Sequence, residues 1–436
     1  MKVHLIAIGG SAMHNLALAL HHKGFEVSGS DDAIFEPSKS RLDAFGLLPQ
    51  KMGWFPEKIH KDLDAIILGM HARIDNPELI KAQELKISIL SYPEYIYNQS
   101  ANKKRVVIGG SHGKTSITAM ILHVLHHYNM DCDYMVGAKL DGFDTMVRLT
   151  AEAPVIVLEG DEYLSSPIDR RPKFHWYKPH IAILSGIAWD HINVFPTFEN
   201  YVNQFRIFKN DVEDVLFYCD DDKVLSDLCQ EDSTCRLESY SVPNHCVEDG
   251  VTYLIDGESK HRLEIFGEHN LQNLNAALLV CQELGIQKSD FYKAISLFKG
   301  ASKRLEIVKR GESSVVYKDF AHSPSKLKAT SSAMKKQYTH RALVACMELH
   351  TFSSLNKDFL KEYLGAMDTP DIAVVYFSKA AIAHKKMEDI SVEQVHKAFG
   401  RLDLKVFTDS KDLQLFLKSL EWKNRNLLMM SSGNFD

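Results

Sequence analysis

No apolar run in the 436-residue sequence comes near the roughly 20 residues that a helix needs to cross a bilayer; Ile181 to Leu184 and Leu427 to Met430 are among the longest. The opening Met1-Lys2-Val3-His4-Leu5-Ile6-Ala7-Ile8-Gly9-Gly10 is broken by glycine too early to act as a signal peptide. Cysteine is sparse and scattered: seven residues, an odd number, without one C-x-x-C pair, which argues against a disulfide framework and reads as reduced thiols in a cytoplasmic protein. Nor is there an excess of cations. Lys plus Arg number 51 against 57 Asp plus Glu, a formal charge of −6, which argues against general affinity for nucleic acid or an anionic membrane. Low-complexity stretches and short-period repeats are missing as well. The rest of the composition, 45% hydrophobic and 25% charged, belongs to a folded globular chain long enough for about three domains.

Short apolar runs bounded by Gly, Asp or Pro alternate with longer amphipathic stretches, the pattern of parallel sheets covered by crossover helices, and predict an α/β fold of three units. The first, residues 1–101, should place strands at Val3 to Ile8, Phe25 to Gly29, Ala65 to Leu68 and Ile87 to Leu90, with a helix from about Met13 to Lys23 stopped by Gly24. Polar Asn98 to Lys104 reads as a linker. A central unit, 102–302, opens on Arg105-Val106-Val107-Ile108. The third, 303–436, resumes the alternation with runs at Ser314 to Tyr317, Ala342 to Cys346, Ile372 to Phe377, Leu404 to Phe407 and Leu427 to Met430.

The segment Gly109-Gly110-Ser111-His112-Gly113-Lys114-Thr115-Ser116 follows a predicted strand and leads into the apolar helical run Ile117 to Leu125. A glycine turn at a helix N-terminus aims successive backbone N–H groups and the helix dipole at an anion. Lys114 adds a point charge for outer phosphates, and the Thr115 hydroxyl a ligand for Mg2+. Ile108 stands where G-x-x-x-x-G-K-[ST] has its first glycine, so only G-x-x-G-K-T remains. Two further apolar strands lead to polar residues: Pro154 to Leu158 runs into Glu159-Gly160-Asp161-Glu162, and His180 to Leu184 is followed by Trp189-Asp190-His191. Ligands gather at the carboxyl ends of parallel strands, so the loop, the carboxylates and His191 should meet in one crevice, with Glu159 beside Thr115 around a hard cation. The plainer alternatives are a chance glycine turn, a solvated acidic turn and a structural histidine. His123 and His127, one helical turn apart without a third ligand nearby, read as an ordinary helix face.

Taken together, Gly110 to Thr115, Glu159 to Glu162, Asp190-His191, Gly267-Glu268-His269-Asn270-Leu271-Gln272-Asn273, Arg304-Leu305-Glu306 and Asp319-Phe320-Ala321-His322-Ser323-Pro324 resemble the motifs of the Mur ligases of peptidoglycan synthesis, over nearly the entire chain. The resemblance implies a cytoplasmic enzyme that uses ATP and Mg2+ to form a C–N bond through an acyl phosphate. Its domains would be an N-terminal Rossmann-like UDP-sugar domain, a central P-loop ATPase-like domain with a parallel sheet, and a C-terminal Rossmann-like domain. Gly110, Ser111, His112, Gly113, Lys114, Thr115 and Ser116 would then hold the phosphates of ATP, Thr115 and Glu159 one Mg2+, and His191 a second. Asn270 and Asn273 would face adenine, for which helix capping is the structural alternative, and Arg304 with Asp319 would complete the nucleotide site. The implied catalytic set is Lys114, Glu159, His191 and Arg304.

The first unit is similar to the UDP pattern of the branch that activates UDP-N-acetylmuramate itself, which assigns Gly9, Gly10, Ser11, Ala12 and Met13 to the diphosphate and Asp31 to uridine. Ala12 stands where the last glycine of that pattern is usual. The stretch Glu159 to Tyr163, continuing through Asp169 to Phe174 before His191, is similar to members that attach the tripeptide L-alanyl-γ-D-glutamyl-meso-diaminopimelate, with members that add L-alanine as the alternative and a P-loop nucleotide switch as a more distant one. His350 and Thr351 would lie on the acceptor side, His350 where an arginine is expected. Expected partners are the sugar nucleotide and an amino-acid or peptide amine, with no nucleic acid or membrane, in a monomer or weak dimer. The chain stops at Ser432 to Asp436 where members of this family continue into a Gly-rich turn and a last helix, so either it is trimmed or its third domain lacks that cover.

Overall fold

Val3, Leu5 and Ile6 have no exposed face, and in the computed structural model they make β1 (Lys2–Ile6) an interior strand of a four-stranded parallel sheet. It lies between β2 (Glu26–Ser30) and β3 (Ala65–Leu68), with β4 (Ile89–Ser91) beyond β3. Its helices are α1 (Ser11–His22), α2 (Ser38–Ala44), α3 (Pro77–Leu85) and α4 (Tyr92–Ser100). Gly24, at φ +85°, turns the chain out of α1 as its position in the sequence implies. Ser91 and Glu94 close a capping box on α4, each satisfying a backbone N–H of the other's residue.

The described residues are 1–140, 142–190, 193–302, 304–433 and 435. They divide into two compact units, one of Met1–Trp189, Val194–Tyr240 and Ala276–Ile286, the other of Asp190–Asn193, Ser241–Asn275 and Gln287–Asp436.

The expected linker is a correction. Asn98 to Ser100 finish α4 and Lys104 starts β5 (Lys104–Gly109), leaving three residues between them, and these are fastened. The Arg105 guanidinium donates to the carbonyls of Ser100, Ala101, Lys103, Tyr177 and Lys178. Lys103 is buried, its Nζ 2.9 Å from the Thr150 carbonyl oxygen, 2.8 Å from that of Ala153 and 2.9 Å from the Asp133 carboxylate. Polarity here caps a helix and satisfies buried carbonyls; it does not mark a solvated tether.

The central sheet comprises β5, β6 (Cys132–Met135), β7 (Val147–Arg148), β8 (Val155–Glu159), β9 (Ile181–Leu184), β10 (Val215–Cys219) and β11 (Arg236–Tyr240) in the order β11-β10-β9-β5-β8-β6-β7. All are parallel except β7, which pairs antiparallel with β6. Its helices include α5 (Lys114–His127), α6 (Phe198–Asn210), α7 (Lys223–Cys229) and α8 (Glu268–Glu283). Between β11 and α8 the chain adds an antiparallel sheet of β12 (His245–Glu248), β13 (Val251–Asp256) and β14 (Ser259–Leu263), not anticipated from the alternation. Its first turn is Asp249-Gly250, both at positive φ, the dipeptide a tight hairpin prefers.

The last sheet holds β15 (Glu306–Arg310), β16 (Val315–Asp319), β17 (Ala342–Glu348), β18 (Ile372–Tyr376), β19 (Lys405–Phe407) and β20 (Arg425–Met430) in the order β15-β16-β20-β17-β18-β19, parallel except for β15. Leu343, Ala345, Met347, Val375, Leu428 and Met430 project from it into one buried cluster with Leu327, Phe359 and Val395, each large aliphatic contributing about 1.5–3 kcal/mol by burial. The architecture is mixed α/β with parallel-dominated sheets, as the periodicity implies. No helix among the described residues is long and apolar enough to cross a membrane, and none of the seven cysteines is paired in a disulfide.

Candidate active site

β5 sits in the middle of its sheet, in register with Glu159 of β8 and Ile183 of β9 at Ile108, so the three strand ends coincide. Ile108 itself is a fully buried strand residue, which is why the loop begins later than the generic motif. Gly110 stands at φ +121°, where an added Cβ would come 2.8 Å from the Ser185 backbone nitrogen, so no larger residue fits. Gly113, at φ +73°, opens α5.

Lys114 is the first residue of that helix, its Nζ 2.8 Å from the Gly110 carbonyl oxygen and 2.7 Å from Oε2 of Glu162. Burial works to lower the pKa of this ammonium, but the carboxylates of Glu162, Asp161 and Glu159 outweigh it and hold it well above its ordinary value. Glu162 is itself buried and takes a hydrogen bond from the Tyr201 hydroxyl of α6 at 3.0 Å. That hydroxyl lies 2.9 Å from Oγ of Ser111, which accepts from the Ala188 N–H, so one chain of bonds ties the loop to its lysine. Thr115 donates to Oε1 of Glu159 at 2.8 Å, and the Gly137 N–H to Oε2 at 2.7 Å. A hydroxyl and a carboxylate this close supply hard oxygen donors that fit Mg2+. Among the described residues no three His, Cys, Asp or Glu side chains gather as a metal cage, and His191 lies outside the described residues. His112 and Ser116 fall on the loop and the first turn of α5, Ser116 buried.

The turn after β1 departs from expectation in detail. The left-handed residue is Ala7, at φ +67°, while Gly9 is required by crowding: a Cβ there would meet Ile34 at 2.8 Å and the Asp31 carboxylate at 2.9 Å. Asp31 is buried and accepts from the Gly9 N–H at 2.7 Å, so it braces the turn. Gly10 caps α1, and Ser11, Ala12 and Met13 form its first turn. The sequence gives no warning of His14 and Asn15. Nδ1 of His14 lies 3.0 Å from the Gly10 carbonyl oxygen and its Nε2 3.2 Å from Arg41, while Asn15 donates to Ser11 and accepts from the Met146 N–H. Burial holds the His14 imidazole below its ordinary pKa, in keeping with a neutral ring.

Ser11, Ala12 and Asn15 share a cavity of about 300 Å³ with Lys114, Glu159, Asp161 and Lys173. The two glycine turns are therefore brought together. Lys173 pairs with Asp161 at 2.5 Å. Neither Lys173 nor Tyr201 has a local motif to announce it, and Glu162 was visible only as part of an acidic run.

The remaining expected residues lie in the second unit. Asn270 and Asn273 are buried in the first two turns of α8, with Asn270 donating to the Phe266 carbonyl at 3.0 Å, whereas a capping side chain would accept from a backbone N–H. Arg304 lies over the Phe320 ring, 4.5 Å from its centroid. Asp319 accepts from the backbone N–H groups of Leu305 and Ala321, both at 2.8 Å, and so shapes the chain leading into β15. His350 sits 3.6 Å from the buried Glu348 carboxylate, and Thr351 exchanges hydrogen bonds with Ser354 to close a turn.

Comparison with known proteins places relatives beside this chain over most of its length. The model of the "Mur ligase family, catalytic domain" matches residues 2–104, and that of the "Mur ligase middle domain" residues 108–281. A UDP-N-acetylmuramate–L-alanine ligase of Clostridium kluyveri is 31% identical over 85% of this chain and 82% of its own length; one from Sulfurihydrogenibium is 29% identical over 99% and 95%. Among solved structures, the UDP-N-acetylmuramate-alanine ligase of Thermotoga maritima aligns at a TM-score of 0.73 and 20% identity over 100% of this chain and 96% of that one. The murein peptide ligase of Psychrobacter arcticus gives 0.67 at 20% identity, again over 100% and 96%. At such identities these two establish the fold alone.

Proposed function

Because this chain belongs to the Mur ligase family of ATP-dependent, amide-forming enzymes, we propose that it activates the lactyl carboxylate of UDP-N-acetylmuramate and joins it to the amine of L-alanyl-γ-D-glutamyl-meso-diaminopimelate. The observation that carries the ligase reading is the shared cavity, with Ser11 and Ala12 of one glycine turn and Lys114 and Glu159 of the other in its wall. In this reading the γ-phosphoryl group passes from ATP to a carboxylate oxygen and ADP leaves; the amine nitrogen then attacks the carbonyl carbon, phosphate departs and the amine loses a proton. Lys114 exchanges Glu162 for the transferring phosphoryl group, and the backbone N–H groups of Gly110 to Thr115 hold the phosphates in line. Thr115 and Glu159 would hold Mg2+, which neutralises charge on the phosphate oxygens when bound. Domains at 1–101, 102–302 and 303–436, and a cytoplasmic monomer or weak dimer, complete the proposal, in which His191, Asn270, Asn273, Arg304, Asp319, His350 and Thr351 keep the nucleotide and acceptor roles implied by their motifs.

Support for the tripeptide comes from residues 163–173, which form a loop closed by the Leu164–Pro172 bridge and by the Ser165–Arg171 backbone bond, and end on Lys173 in the cavity wall. A second reading, L-alanine as acceptor, is favoured by the two curated relatives described above, both named UDP-N-acetylmuramate–L-alanine ligases. Phosphate release with ATP, Mg2+ and UDP-N-acetylmuramate should be fast with tripeptide and slow with L-alanine, and Lys114→Ala should cut it by about a thousandfold. The reverse ranking selects the second reading; release without sugar and amine would indicate a nucleotide switch.

A further inference from the structure

Tyr92 and Tyr177 both line the cavity of about 300 Å³ that the two glycine turns share, and the hydroxyl of each is buried without a hydrogen-bond partner among the described residues. Tyr92 opens α4 and is 4% exposed, while Tyr177 follows the short helical turn Lys173–Trp176 and is 0% exposed. A phenol both donates and accepts, so one that is sealed from water with neither bond made has lost its hydration for nothing in return. Interiors seldom leave such groups orphaned, and two in one cavity wall need a common cause. Packing is not that cause, since phenylalanine would fill the same volume.

The rest of the wall identifies what would satisfy them. Ser11 and Ala12 of one glycine turn and Lys114 with Glu159 of the other line the same cavity, where Lys173 pairs with Asp161, Lys114 pairs with Glu162, and Glu159 takes the Thr115 hydroxyl and the Gly137 N–H. Between two anion-binding turns, neutral hydroxyls in a wall whose cations already face carboxylates suit the hydroxyl and amide groups of a sugar, not another phosphate. Resting on the ligase reading above, we propose that Tyr92 and Tyr177 are specificity-determining residues that hydrogen-bond the N-acylated sugar of the UDP-linked substrate and direct its carboxylate arm toward Lys114 and Glu159.

Equilibrium binding of UDP-N-acetylmuramate and of UDP alone to the full chain and to its Tyr92→Phe and Tyr177→Phe variants tests this. Each variant should bind the sugar nucleotide about five- to tenfold more weakly and UDP as before, since one neutral hydrogen bond is lost from the sugar alone. The melting temperature of the ligand-free variants should stay or rise, because an apolar isostere replaces an unpaired hydroxyl. Undiminished sugar-nucleotide affinity in both variants overturns the inference while leaving the ligase reading in place. Equal losses for UDP and the sugar nucleotide, with a lower melting temperature, also overturn it, in favour of a structural role. Failure of the unaltered protein to bind UDP-N-acetylmuramate at all overturns the ligase reading itself.

Discussion

His322 lies just beyond β16 with its Nδ1 2.8 Å from the Phe320 carbonyl oxygen, and burial, then the Lys326 cation, bring its imidazole down to about 4 from an ordinary 6.5. Between those values the unfolded chain takes up a proton that the folded chain refuses. The stability this residue contributes is complete above pH 6.5 and is lost as pH falls toward 4, on the order of 3 kcal/mol in all. In His322→Asn the urea midpoint should therefore depend less steeply on pH between 6.5 and 4 than in the parent; an unaltered slope would count against the assignment. At this scale the sequence exposes what is local. Lys114, Thr115 and Glu159 were readable because a glycine turn and a strand end name their positions. Tyr201 was not, since it lies far along the chain on an amphipathic helix and only the fold carries it to Ser111 and Glu162. Asp31 and Asp319 were legible through the motifs they belong to, yet each also holds backbone N–H groups that no residue pattern reveals.

Strand β5, its turn and α5 form one element whose geometry leaves no room at Gly110. Gly110→Ala drives a Cβ to 2.8 Å from the Ser185 nitrogen at a φ of +121°, so it should cost about 1–3 kcal/mol and weaken ADP binding at least tenfold. Gly24→Ala is the control: φ there is +85° but nothing lies within 4 Å, so about 1 kcal/mol should be lost with ADP binding intact, as paired melting and nucleotide titrations would report. Elements with a clean period were legible to within a few residues, Ala65–Leu68 without error. The sheet from β12 to β14 escaped because its strands are half-exposed and mixed in polarity, so only the Asp-Gly hairpin signal at 249–250 could have found it. The supposed linker failed for the opposite reason: among its polar residues Ser100 and Lys103 are buried and bonded, although Asn98 and Asn102 face solvent.

For the molecule as a whole, that misread junction governs how the first two sheets are joined. Lys103→Met would take from the buried Asp133 carboxylate its nearest cation, leaving it the Thr150 N–H and hydroxyl and the Arg148 guanidinium at 3.6 Å, and should cost about 3 kcal/mol in urea unfolding, the low end for a broken buried pair. Replacing both partners, Lys103→Met with Asp133→Leu, should recover much of that loss; no recovery would mean the pair's geometry, not its charge, is what matters.

Arg105 and Lys103 fasten the few residues between α4 and β5, and both glycine turns belong to the same compact unit. The span from Ser11 to Lys114 is thus set before any ligand arrives, and the gap works as a caliper. On the proposed chemistry, a uridine diphosphate bearing its acid one sugar ring away lands within reach of the phosphoryl group, while a shorter or longer handle falls short or overshoots. In that reading the spacing of the two loops sorts length, and the side chains between them sort what the length carries.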